Sequence, residues 1–234
     1  MPPFVRALIP AFAMLAIAAS ASVHSQQPPA AAVYCVTYIE AAPSSRAEVQ
    51  SLLKQLAAAS RKTAGNLRFE VLQRRDRTNQ FNILEAWNDQ AARDSNTASP
   101  HFASFRKALQ PLLIAGYDER PHVPMVAGAP DAGARAGGGA VVAVTHVDFI
   151  PPKKDEGIAA LRELAAASLK DAGNQRYELL QQASRPNHLT LVEIWQDEGA
   201  LEKHETAAHT VHFRDISLPM NGALFDQRLY RLVD

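Results

Sequence analysis

One feature constrains this chain more than any other: residues 33–125 align with residues 141–233 at a constant shift of 108 positions, without insertion or deletion. Leu56 through Ser60 return as Leu164 through Ser168, and Ala64-Gly65-Asn66 as Ala172-Gly173-Asn174. Glu85-Ala86-Trp87-Asn88-Asp89 returns as Glu193-Ile194-Trp195-Gln196-Asp197, and His101, Phe105 and Arg106 as His209, Phe213 and Arg214. Roughly a third of the aligned positions are identical, against ~5–7% expected from average residue usage, so the chain is a tandem duplication. Solenoid repeats run about 20–50 residues and cannot stand alone. The period here is that of a small domain, so the chain contains two.

Lysines plus arginines number 24 and aspartates plus glutamates 24, which leaves no charge excess to hold nucleic acid. Arg6, the apolar run Ala7–Ala19 and the small residues after it predict a signal peptide over 1–25. That run falls short of the ~20 residues that cross a bilayer, so no membrane span is expected after processing. The expected location is exported, periplasmic or secreted. Residues 26–32 form a flexible lead into domain 1 (33–124), and domain 2 occupies 141–234. Between them, the Gly-, Ala- and Pro-rich segment 125–140 is a linker whose r.m.s. span of ~20 Å suffices to pair two neighbouring domains. Cys35 is the only cysteine, so no disulfide can form within the chain.

Within each copy, a β-branched and aromatic run, Val33–Ile39 or Val141–Phe149, ends before proline and predicts a first strand. Apolar residues at three- and four-residue steps follow (Val49, Leu52, Leu53, Leu56; Ile158, Leu161, Leu164) and predict a helix, closed by the left-handed cap Gly65 or Gly173. Two strands come next, Leu67–Arg74 and Gln80–Asn88, repeated over 175–182 and 188–196. Asp89 and Asp197 stand at helix N-cap positions, leading helical stretches through about Gln110 and Leu218. A last strand near Tyr117–Val123 or Leu224–Leu232 completes β-α-β-β-α-β, the ferredoxin-like plan. Such a sheet carries helices on one face only, and two units can cover each other's bare face. The fold class expected is α+β, two tandem ferredoxin-like units packed as an intramolecular dimeric α/β barrel, a monomeric pseudo-dimer.

Arg68-Phe69-Glu70-Val71-Leu72-Gln73, Glu85-Ala86-Trp87-Asn88-Asp89, Ser99-Pro100-His101 and Phe105 resemble the antibiotic biosynthesis monooxygenase family, including its quinol monooxygenases. Copy 2 matches through Arg176-Tyr177-Glu178, Glu193-Ile194-Trp195-Gln196-Asp197, His209 and Phe213. The resemblance implies oxidation of a small aromatic quinol or polyphenol by O₂, with no cofactor and no metal. A deprotonated quinol can itself reduce O₂, so the protein must supply a dry pocket, a proton acceptor and a polar group for reduced oxygen. Under that reading Glu85, Glu193, His101 and His209 are the candidate catalytic groups, and Trp87, Trp195, Phe105 and Phe213 would bind substrate. The alternative function is a non-catalytic module that holds a small apolar aromatic ligand in the barrel pocket.

The residues allow plainer roles as well. Phe81, Ile83, Glu85 and Trp87 alternate on one strand and share a face, as do Leu189, Leu191, Glu193 and Trp195. The tryptophans could line a pocket or pack between the units, and each glutamate could pair with a same-sheet arginine, Arg68 or Arg176. The histidines could serve as hydrogen-bonding groups at a helix start, and Phe105 and Phe213 as core. His204, Glu205, His209 and His212 have spacing that could place metal ligands on one helical side. Copy 1 has Asn96, Thr97 and Ser104 where copy 2 has His204, Glu205 and His212, so no metal is expected. Histidine enrichment at 146, 204 and 212 predicts that any chemistry is concentrated in copy 2.

Overall fold

The computed structural model describes residues 32–127 and 139–233. The expected signal peptide, residues 26–31 of the lead and residues 128–138 of the linker lie outside them. Copy 1 runs β1 (Val33–Glu40), α1 (Arg46–Ser60), β2 (Asn66–Arg74), β3 (Gln80–Trp87), α2 (Gln90–Thr97), α3 (Pro100–Leu109) and β4 (Asp118–Val126). Copy 2 runs β5 (Val141–Asp148), α4 (Lys154–Ser168), β6 (Asn174–Gln182), β7 (His188–Trp195), α5 (Glu198–Glu205), α6 (Ala208–Ser217) and β8 (Asp226–Leu232).

Local chemistry accounts for most of these bounds. The α1 face that carries Val49, Leu53, Leu56 and Ala57 is buried, as its three- and four-residue spacing requires. The helix ends at Ser60, and the turn after it reaches left-handed backbone at Gly65 (φ +82°), with Gly173 (φ +85°) its counterpart. A Cβ on Gly65 would lie 2.5 Å from the Ala92 Cβ, so small residues are needed on both sides of that contact. Asp89 and Asp197 do cap the next helices, each accepting from a backbone N–H at 2.8 Å (Ala92, Ala200). The single helical stretch expected after Asp89 is instead two helices. Pro100 cannot continue α2, and its neighbour Ser99 opens α3 by accepting from the Phe102 N–H at 3.3 Å.

The eight strands close into one antiparallel barrel in the order β1-β3-β2-β8-β5-β7-β6-β4. The last strand of each copy makes the closure. β8 pairs with β2 (Leu72↔Leu232, Arg74↔Tyr230), while β4 pairs with β6 (His122↔Gln182). Each unit thus covers the bare face of the other, and the tandem ferredoxin-like barrel is the observed fold. Alternation along the strands sorts side chains to two sides. Val36, Leu72, Leu84, Val144, Leu180, Val192 and Tyr230 form one core cluster, drawn from the strands of both copies, inside the barrel. Phe69, Ile83 and Trp87 pack with α1 and α3 outside it, and Tyr177, Leu191 and Trp195 pack with α4 and α6.

Charge crosses the barrel interior between the copies. Arg176 grips Glu70 with both terminal nitrogens (2.9 and 2.6 Å), and Arg68 donates to Glu178 at 2.9 Å. Burial alone would raise the Glu70 carboxyl, but Arg176 and then Arg68 hold its pKa below the usual range. Arg68 stands opposite Ala86 in the register and Phe69 opposite Glu85, so Arg68 and Glu85 point to opposite sides of the sheet. Arg176 and Glu193 are separated in the same way. The expected same-sheet pairs Glu85 with Arg68 and Glu193 with Arg176 therefore do not form.

Candidate functional site

Because Glu-x-Trp lies on the helix side of each sheet, the functional question moves from the barrel interior to the space beneath the helices. In copy 2 that space holds a cavity of about 220 Å³. Thr145, Val147, Tyr177, Leu191 and Glu193 line it from the sheet, Leu164 from α4, His204 and Glu205 from α5, Thr210, Phe213 and Arg214 from α6, and Phe225 and Gln227 from the last strand and its approach. The lining is mixed: Val147, Leu164, Tyr177, Leu191, Phe213 and Phe225 give it apolar and aromatic surface, and the remaining groups are polar or charged.

Glu193 is 3% exposed and accepts a hydrogen bond from Trp195 Nε1 at 3.0 Å. Burial raises its pKa to about 7; the Trp195 bond opposes the rise, Glu205 adds to it and Arg214 lowers it. Trp195 does not touch the cavity. It lies behind the wall, stacked on the His204 ring at 4.5 Å between centroids. His204 Nε2 is 3.6 Å from Glu193 Oε2, and its Nδ1 lies 2.8 Å from Asp171 Oδ2. Burial lowers the His204 pKa, against the opposing pull of Asp171, so the ring is neutral near neutral pH. With Asp171 accepting from Nδ1–H, the Nε2 lone pair faces Glu193. Asp171 also bonds His209 Nε2 at 3.0 Å, and His209 is partly exposed. Glu193, His204, Asp171 and His209 thus form a chain of polar contacts from the cavity to the surface. Thr145 Oγ1, buried in the cavity wall, has no hydrogen-bond partner.

Copy 1 uses the same ground differently. Glu85 is 1% exposed, accepts from Trp87 Nε1 at 2.8 Å, and is raised by burial to about 7. Arg93, the counterpart of Leu201, comes within 3.9 Å of Glu85 and binds Glu119 at 2.8 Å. Phe102 stands where copy 2 has Thr210 and packs on Phe105 at 6.1 Å. Arg106 lies 3.6 Å over the Tyr117 ring, which meets Phe105 at 6.4 Å. His101 takes the helix-start role, with Nε2 at 3.1 Å from both Ser99 Oγ and Asn96 Oδ1.

The structure therefore sorts the expected residues. Glu193 and Phe213 meet at the cavity, His209 joins through Asp171, and Trp195 supports from behind. Glu85, Trp87 and Phe105 are packed within copy 1. Neither tryptophan packs between the units, because each is covered by its own helices. His204 carries more of the site than its sequence reading as a metal ligand suggested, and Asp171 was not recognised at all. Only the alignment of Asp171 with Thr63 and of His204 with Asn96 hinted at either. Of the copy-2 histidines, His146 faces Tyr38 at 5.3 Å inside the barrel, and His212 lines a separate pocket between α4 and α6. The metal grouping read from helical spacing changes too, because the helix breaks at Thr206 and Ala207. Asp171, His204 and His209 offer ligand atoms within 4.8 Å of one another, a set that could hold an ion.

Comparison with known proteins fits both the duplication and the barrel. The family model described as antibiotic biosynthesis monooxygenase matches residues 32–108 and 140–215. The Bacillus subtilis (strain 168) protein named "Putative monooxygenase YcnE" is 32% identical over 69 residues, which is 30% of this chain and 73% of that protein. A Fusobacterium nucleatum crystal structure, likewise named as a "Putative monooxygenase", superposes with a TM-score of 0.80 at 14% identity, covering 87% of this chain and 93% of that one. An anthrone oxidase-like protein does so with a TM-score of 0.66 at 12% identity, covering 90% and 93%. At these identities the two structures speak for the fold.

Proposed function

We propose, for a chain that belongs to the antibiotic biosynthesis monooxygenase family, that copy 2 oxidises a small phenol or quinol with O₂ in the cavity above Glu193, without a cofactor. One observation carries this reading: a buried carboxylate raised to about 7 stands in the cavity wall beside Leu191, Tyr177 and Phe213, backed by a neutral imidazole. A base of that pKa is matched to proton abstraction near neutral pH. The cavity, about 220 Å³, lies below the ~300–1,000 Å³ of drug-sized sites and suits one or two rings.

In this mechanism Glu193 takes the phenolic proton, and the electron-rich phenolate passes one electron to O₂. The resulting radical pair combines at a ring C–H carbon ortho or para to the phenolate oxygen, forming a C–O bond and a peroxide. The proton returned through Glu193 and His204 goes to the distal peroxide oxygen. Loss of the ring C–H proton then expels that oxygen as water and leaves C=O. The ring supplies all four electrons, one oxygen atom enters the product, and the other leaves in water. Arg214 and the unpaired Thr145 hydroxyl are the groups in the wall suited to steadying reduced oxygen.

Oxygen-electrode assays of metal-stripped protein with a hydroquinone panel test this reading. The expected result is uptake with one water formed per O₂ and a quinone product. Uptake no greater than the autoxidation blank across the panel overturns it, and saturable binding without uptake would instead identify a ligand-holding module. We also place the reaction outside the cytoplasm, on the strength of residues 1–25. N-terminal sequencing of the exported protein checks this, and an uncleaved Met1 in the cytoplasmic fraction would refute it.

A further inference from the structure

The copy-2 cavity does not end at its own domain. A surface groove of about 690 Å³ adjoins it and shares two wall residues with it, Glu205 and Gln227. The near side of this groove is α5 (Glu198, Leu201, Glu202, Glu205), and its floor is β8 (Gln227, Arg228, Leu229). Copy 1 provides the far side through Arg74, Arg75 and Asp76, where β2 runs into its turn. Two contacts hold that wall in place: the Arg75 N–H bonds Leu229 O at 2.9 Å, and the Arg75 guanidinium pairs with Glu198.

Charge in the groove is not balanced. Each arginine already has a carboxylate: Arg74 grips Asp76 at 2.7 and 2.9 Å, Arg228 takes Asp226, and Arg75 takes Glu198. Glu202 and Glu205 have no ion-pair partner among the described residues. In the groove four carboxylates (Asp76, Glu198, Glu202, Glu205) face three guanidiniums (Arg74, Arg75, Arg228), Arg214 stands on the cavity side of Glu205, and the cavity holds the buried, unpartnered Thr145 hydroxyl. At the aligned places copy 2's turn carries Gln182, Ala183 and Ser184, and α2 carries Asp94 and Thr97, so the opposite side of the barrel does not repeat this arrangement.

We propose that cavity and groove form one composite site for a phenol whose ring fills the cavity and whose side arm lies in the groove against Glu202 and Glu205. That arm carries a hydrogen-bond donor, a hydroxyl or an ammonium, and no negative charge; copy 1 supplies the outer wall. This inference rests on the reading of the cavity as the ring site, and it specifies the substrate class. It also gives copy 1 a direct part in recognition at the copy-2 site.

Anaerobic titration calorimetry with four catechols tests it, the para arm being methyl (4-methylcatechol), hydroxyethyl (hydroxytyrosol), aminoethyl (dopamine) or carboxymethyl (3,4-dihydroxyphenylacetate). The hydroxyl and ammonium arms are expected to bind about three- to fivefold more tightly than methyl, and the carboxylate arm more weakly than methyl by a similar factor, the scale of exposed charge pairs. In the double variant Glu202→Gln, Glu205→Gln the gap between ammonium and carboxylate arms closes. Arg75→Ala removes a cation from the outer wall and frees Glu198, so it tightens the ammonium arm and leaves 4-methylcatechol unchanged. Arg75 and Glu202 are exposed and Glu205 is half-buried, and circular dichroism checks that the variants fold. Equal affinities for the four arms, or discrimination that survives the double variant, overturns the composite site while leaving the monooxygenase reading standing if 4-methylcatechol is turned over. Arm discrimination without O₂ uptake does the reverse, and failure of all four probes to bind overturns both.

Discussion

The two copies place the same Glu-x-Trp pair under the same helices, with both carboxylates buried and both raised to about 7, yet only one of them faces a described cavity. The difference lies in the residues around the shared motif. Phe102 against Thr210 and Arg93 against Leu201 change the bulk and charge beside the carboxylate; Asn96 against His204 and Thr63 against Asp171 change the polar groups behind it. In copy 1 Phe102 and an Arg93–Glu119 pair stand beside the carboxylate, whereas copy 2 has the cavity and the His204–Asp171–His209 contacts. A duplicated barrel has two equivalent places for a site, and one suffices while the other stabilises.

The largest expected effect separates the copies by activity. Glu193→Gln should reduce kcat/KM by about 10²–10⁴, the usual weight of a general base, while Glu85→Gln leaves it within about twofold. In the parent protein kcat/KM should rise with pH through about 7 as Glu193 ionises. Burial is the largest cause of this value; the Trp195 bond and Arg214 of α6 oppose it, Glu205 of α5 adds to it, and His204 of α5 faces the carboxylate at 3.6 Å. A stopped-flow O₂ assay across pH measures both; equal losses from the two substitutions would erase the functional contrast.

The barrel seam should show the opposite pattern, with both copies needed. Arg176→Met strips the buried Glu70 of both its hydrogen bonds, leaving it Arg68 at 3.5 Å while Glu178 keeps Arg68 at 2.9 Å, and should cost about 3–5 kcal/mol in urea unfolding, as broken buried pairs do. Arg68→Met should cost less, because Glu70 keeps both of its bonds to Arg176. A larger loss from Arg68→Met would mean that this asymmetry in the network has no energetic counterpart.

Next in size is a direct exchange of the residue that closes the space. Thr210→Phe should place an aromatic ring where copy 1 has one, abolish saturable catechol binding, and change stability by no more than about 1–3 kcal/mol, the range of overpacking. Retention of binding in a folded Thr210→Phe protein, checked by calorimetry, would separate the ligand site from this cavity.

How much of this was legible in the chain follows from what each feature depends on. The repeat, strand alternation, N-cap aspartates and positive-φ glycines are local or self-referential, and they led to the barrel. The face of the sheet that Glu85 and Trp87 occupy was also predicted as shared, but which side it met was not. That depends on β2 register: one residue of shift exchanges Arg68 for Phe69 opposite Glu85. The helical spacing puts His204 and His209 on one helix, but the break that Pro100 marks in copy 1 recurs before Ala208, and they lie on two. Asp171 stayed hidden because its partners are 33 and 38 residues away, and nothing in its own turn marks it as a histidine ligand.

A last expected effect is one on which the copies agree. Glu85 holds its proton up to about 7 when folded, since burial outweighs the opposing pull of Arg93 and of the Trp87 bond, and Glu119 adds to the rise. Unfolded, it releases that proton near 4.5, the ordinary value for a glutamate side chain. Between those limits the unfolded state binds fewer protons, so the stability of the parent relative to Glu85→Gln should fall as pH rises, by at most about 1.4 kcal/mol per pH unit. The difference should be constant below about 4.5 and again above about 7. Taking the difference removes the contribution of His122 and His146, whose lowered pKa values act in the opposite direction. The Glu193→Gln difference should follow the same curve, because desolvation by the sheet and helices is common to both copies. Guanidinium titrations at half-unit pH steps measure it, and a flat difference for either variant would mean that its carboxylate is already ionised in the folded protein.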